Sequence, residues 1–279
     1  MAVIVPLLFV ADKIETALTG PTPRLYAVRY IPCCETVVRA QSLSRSFGLS
    51  RGFMAFESTQ LRGIGAGWDV IASLVVSDGS ARHPHLLRLS RAGASQRDLA
   101  DAVHAICSVH GRTTDLFDEA TRHRSDAPGA QWVAPIWVEI ATDGFAAERA
   151  FLATLTAAAG PLPSTPGQAE TDAALVAQRH AFDMLAHSDR AGCATGAAIA
   201  LVIDWYAFRD AMDVAAARFG VTPSKMALPD AIEVATIVAT LSDSPALQRA
   251  MAFGAQQVFA QHRGLWDLLE ARASARDRH

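Results

Sequence analysis

From Trp68 onward the apolar residues of the chain recur at three- and four-residue intervals, and the breaks between runs carry the residues that start and stop helices. A first helix is predicted over 68–77. Pro84 suits the first turn of a short helix that ends before Gly93. Ser95-Gln96-Arg97-Asp98 resembles a capping box with Asp in the place of Glu or Gln. The helix it opens is expected to run to His110, where Gly111 closes it, with Leu99, Ala102, Val103, Ile106 and Cys107 on its apolar face. Helical turns are predicted at 114–123. Pro135 is expected to begin a helix through Ile136, Ile140, Ala147, Phe151 and Leu155, bent at Gly144.

The loop 160–167 separates these segments from a helix at 168–187 and another at 189–219. The second is apolar almost all round from Ala191 to Ile203, which predicts a central position in the core. Gly192 and Gly196 in it allow a neighbouring backbone to come close. Pro229 and Asp230 begin a helix to about 241, and Ser244-Pro245 is a cap and first-turn pair for the last one. That helix carries Leu247, Met251, Gly254, Val258, Leu265 and Leu269, and Glu270–His279, with Arg272, Arg276 and Arg278, reads as a frayed, solvated end. The pattern predicts an all-α fold: a multi-helix bundle of about seven to eight helices over 61–279.

Residues 1–62 break the pattern. Six arginines stand between 24 and 62 against Glu35 and Glu57, and periodicity is poor. Residues 1–60 are therefore read as an irregular N-terminal extension, either outside the main fold or packed on it as an arm. Met54 offers an internal start, which leaves open whether 1–53 belong to the native protein.

Composition narrows the class. Hydrophobic residues make up 51% and charged residues 19% of 279, which excludes a disordered chain. The net charge of −3 argues against a nucleic-acid binder. Lys13 and Lys225 are the only lysines among 25 basic residues. The cysteines at 33, 34, 107 and 193 lack the spacing of a disulfide scaffold and fit a reduced, cytoplasmic protein. The apolar run 1–11 has no basic segment before it and is interrupted by Pro6, so it does not read as a signal peptide. The longest apolar stretch elsewhere, 191–203, is short of the roughly 20 residues of a membrane span.

Two places invite chemistry. His180, Asp183 and His187 share one face of the helix at 168–187, and imidazole and carboxylate are natural ligands of zinc, iron or manganese. Asp101 and His104 form an Asp-x-x-His pair, and Glu139, Glu148 and Asp204 are further carboxylates for a site of the ferritin-like type. That analogy is architectural, and the Glu-x-x-His pair such sites use twice is absent. Asp204 stands in the most apolar helix, so it is expected to be buried and partnered, by an arginine such as Arg179 or by an indole. No phosphate loop, dinucleotide fingerprint or nucleophile elbow is present.

The stretches Gly67-Trp68-Asp69, Ser80-Ala81-Arg82-His83-Pro84-His85, Asp98 to His104 and Arg190-Ala191-Gly192-Cys193 resemble a family of uncharacterised bacterial helical proteins, a domain of unknown function, over about 66–275. The resemblance carries no activity. The sequence therefore leaves a non-catalytic regulatory or interaction protein, with a protein partner or a second copy of itself and no cofactor. The alternatives are a metal-dependent helical enzyme built on His180, and a binder of small apolar ligands.

Overall fold

The computed structural model describes residues 64–112, 116–120, 130–242 and 244–278, with their side chains except at 118 and 130–136. The extension expected over 1–60 lies outside the described residues. The elements in order are α1 (Ala66–Asp78), a 3-10 turn (Ser80–Arg82), α2 (Pro84–Leu89), α3 (Gln96–His110), α4 (Leu116–Ala120), α5 (Ala130–Ala159), α6 (Gln168–Ala186), α7 (Cys193–Phe219), α8 (Ala231–Leu241) and α9 (Pro245–Asp277). Every regular element among the described residues is helical. None of these helices is long and apolar enough to cross a membrane.

Local chemistry sets the helix ends. Ser95 Oγ accepts from the Asp98 N–H at the start of α3, and Ser244 Oγ accepts from the Leu247 N–H at the start of α9. Asp230 and Glu233 complete a reciprocal capping box at α8. α5 departs from expectation: it begins at Ala130, a turn before Pro135, and so takes the proline inside the helix.

α7 is the axis of the core. Its residues from Cys193 to Trp205 are all buried, and it touches each of the other helices. Its closest neighbour is α9, and glycine explains the approach. A methyl group at Gly196 would overlap the Met251 carbonyl, and one at Gly254 would overlap the Cys193 carbonyl. The two backbones therefore pack nearly in contact. Gly144 serves a similar purpose, since a Cβ there would meet the Ala227 carbonyl oxygen at 2.7 Å.

The end of α9 corrects the sequence reading. The helix runs unbroken to Asp277, and Leu265, Leu269, Arg272, Ala273 and Arg276 are all buried along one stripe. The last ten residues look solvated by composition. Their helical period instead continues the apolar face, with two arginines in apolar positions because their partners are waiting across the interface.

Candidate functional site

Three of the buried carboxylates, Asp101, Glu148 and Asp204, organise the polar interior. Asp101 on α3 accepts from Arg272 Nε and Nη2 at 2.9 and 2.8 Å and from Arg276 Nη1 at 2.6 Å. Arg276 also reaches Asp98 at 2.5 Å and Thr165, while Arg272 reaches Thr171 and Gln168. Two carboxylates thus face two guanidiniums, and the cluster ties α3, the 160–167 loop, α6 and α9 together. His104 is elsewhere, hydrogen-bonded to the Gly160 carbonyl at 2.9 Å. The Asp-x-x-His pair is therefore not a shared ligand set.

Glu148 on α5 is fully buried. It accepts from Arg209 Nη1 at 2.6 Å and from the Trp205 indole at 3.0 Å. Arg209 is also bound to Asp213 at 2.8 Å and to the Ser224 carbonyl, and it lies over the Phe151 ring. The arginine and indole expected for Asp204 are both found here, on a different carboxylate. Glu139 is exposed on α5.

Asp204 is buried as expected, but its partners are others. Oδ1 accepts from the Ser80 N–H at 2.7 Å, and Oδ2 accepts from Ser80 Oγ at 2.5 Å and lies 2.7 Å from His262 Nδ1. The 3-10 turn after α1, the centre of α7 and the middle of α9 are joined through this one side chain. Ser80 donates to the aspartate and not to the imidazole. The three residues do not form a nucleophile–base–acid relay, which needs the hydroxyl on the histidine.

Beside this cluster lies His110, the last residue of α3, fully buried with neither ring nitrogen hydrogen-bonded. His262 Nε2 is likewise buried without a partner. The two rings are 5.1 Å apart, centroid to centroid, with planes at 81°. Phe182, Trp205 and Phe208 pack around them. Burial, and to a smaller extent His262, holds the His110 pKa well below the usual 6.5.

The residues chosen for metal binding lie on the outside. His180, Asp183 and His187 share the exposed face of α6, and His187 Nδ1 contacts the Asp183 carbonyl at 2.8 Å. Among the described residues, ligand atoms of His83, Asp267 and Glu270 lie within 4.8 Å of one another. Their hydrogen bonds oppose a cation. His83 Nδ1 accepts from the His85 N–H, so a neutral ring carries its proton on Nε2, which faces Asp267 at 3.0 Å. Glu270 is held by Arg88 at 2.7 Å. No sequence pattern assigned a chemical role to Ser80, His83, His110 or His262, and the side chains that Ser80, His83 and His262 face lie far along the chain.

Among the described residues, an all-α bundle closes around buried carboxylates paired with arginine or histidine. The chain belongs to a family of unknown function (DUF6975), whose model matches residues 75–277. No curated protein and no solved structure matches it.

Proposed function

We propose that this chain is a non-catalytic interaction protein, and that the outer face of α6 pairs with the same face of a second copy. The observation that carries this reading is the composition of that face. Ala169, Ala173, Val176, Ala177, His180 and Met184 are exposed along it, with Val176 at 54% and Met184 at 61%. Surface helices normally turn charged residues outward. Here Asp172, Arg179 and Asp183 fall on one flank and Glu170 on the other, and the stripe between them carries no Asp, Glu, Lys or Arg.

An antiparallel pair centred on His180 sets Val176 against the partner's Met184 and brings Arg179 beside the partner's Asp183. A two-fold contact is self-complementary in this way. The face is about 24 Å long, which corresponds to the small end of specific interfaces, so the dimer is expected to be weak. The buried carboxylates Asp101, Glu148 and Asp204 are each engaged by other side chains of the chain, which supports a structural use for them.

Sedimentation equilibrium tests the reading. Wild type should show a monomer–dimer equilibrium with a dissociation constant on the order of micromolar, and Met184→Glu should be monomeric over the same range. A cation on His180, Asp183 and His187 is the competing use of this face. It predicts that a chelator changes the sedimentation profile, and pairing through α6 predicts that it does not. A monomeric wild type at hundreds of micromolar rules out the pairing.

A further inference from the structure

The second half of α7 carries polar residues in a helical stripe. Tyr206, Arg209, Asp210 and Asp213 stand at i, i+3, i+4 and i+7 and so share one face. The helix stops at Gly220, whose φ of 72° lies in the left-handed region, and the chain then turns back along that face. Arg209 Nη2 donates to the Ser224 carbonyl, and the Tyr206 hydroxyl donates to the carbonyls of Leu228 and Pro229 at 3.2 and 3.0 Å. Between the helix and the returning chain is a cavity of about 570 Å³, lined by the four helix residues and by Ser224, Lys225 and Met226. That volume falls within the range of small-molecule sites.

The charges around the cavity do not balance. Arg209 is buried, and both Glu148 and Asp213 accept from it. Asp213 nonetheless remains 47% exposed. Lys225 is exposed and has no ion-pair partner among the described residues. Glu148, Asp210 and Asp213 thus stand against Arg209 and Lys225, an excess of one negative charge.

We propose that this cavity binds a free amino acid with a basic side chain, of the lysine or arginine type. Such a molecule carries two positive charges and one negative, so it brings the single positive charge that the cavity lacks. Lys225 matches its α-carboxylate, and Asp210 and Asp213 match its two cationic groups. Met226 and the ring of Tyr206, fixed in place through its hydroxyl, cover its aliphatic stem. A simple anion meets the excess negative charge. An apolar molecule strips water from Asp213 and Lys225 and returns no hydrogen bond. None of these residues lies on α6, so the site is independent of the α6 face.

Isothermal titration calorimetry of the full chain at low salt tests the assignment, with L-arginine and L-lysine as probes. The expected result is one saturable site with a dissociation constant on the order of 0.1 mM. L-Glutamate should give no saturable heat. Agmatine, which is arginine without its carboxylate, should bind at least about tenfold more weakly, the factor that loss of one charged hydrogen bond produces. Lys225→Ala alters an exposed side chain on the returning segment. It should weaken arginine by a similar factor and leave agmatine unchanged.

The absence of saturable heat with both basic amino acids at millimolar concentration overturns the proposal. So does glutamate or agmatine binding as tightly as arginine, since the match of charges would then not select the ligand. An arginine affinity unchanged in Lys225→Ala also overturns it, because binding would then lie elsewhere on the surface.

Discussion

Asp204 and His262 meet at 2.7 Å across 58 residues of sequence, and this contact fastens the centre of α7 to the middle of α9 where both are fully enclosed. It sits a few turns from the place where Gly196 and Gly254 let the same two helices touch through their backbones. Polar anchoring and close packing thus act on one interface.

The glycines give the first prediction. Gly254→Ala must push its methyl group into the Cys193 carbonyl, and Gly196→Ala into that of Met251. Overpacking against backbone costs about 1–3 kcal/mol or more. Gly264, in the same helix, meets only Gln178 Nε2 at 3.4 Å. Gly264→Ala should therefore stabilise by up to about 1 kcal/mol, the helix-propensity difference. Urea unfolding of the three variants separates the cases, and a neutral Gly254→Ala contradicts the close crossing.

The second concerns Asp101. Asp101→Ala leaves Arg272 and Arg276 buried with their main partner gone, and breaking a buried pair from one side costs about 3–5 kcal/mol. The amides of 270–276 should lose their hydrogen-exchange protection with it. A wild-type protein whose last turns already exchange freely would restore the frayed end expected from composition.

The third is a pH dependence. An unfolded histidine titrates near 6.5, and burial lowers the folded pKa of His110 well below that value. His85 is likewise pushed down to about 4, by burial and then by Arg88. The unfolded state binds more protons in this range, so stability is complete above about pH 6.5 and falls as the pH drops toward 4. His110→Phe should flatten the acid slope of the melting temperature, and an unchanged slope places its titration elsewhere.

Much of the helix layout was legible because its causes are local. Ser95, Asp230 and Ser244 cap the helices they were expected to cap, and the all-round apolar run of α7 announced its central position. Burial of Asp204 followed from the same run. Its partners did not, since Ser80 lies 124 residues before it and no local pattern links them. Arg272 and Arg276 were misread for the same reason: three arginines near a chain end look solvated unless Asp98 and Asp101 are known to face them. The close approach of Ala227 to Gly144 was not legible, because a helix pattern does not show what packs against it.

The central claim is that the polar residues of the interior hold the helices together rather than perform a reaction. Denaturant unfolding of wild type, Asp204→Asn and Asp204→Ala tests it most directly. Asp204→Ala strands the Ser80 N–H, the Ser80 hydroxyl and His262 Nδ1, and the expected loss is about 3–5 kcal/mol. Asp204→Asn keeps part of the network and should lose less. A loss under about 1 kcal/mol for Asp204→Ala, or a gain in stability of the kind seen when functional groups are removed, would contradict the account.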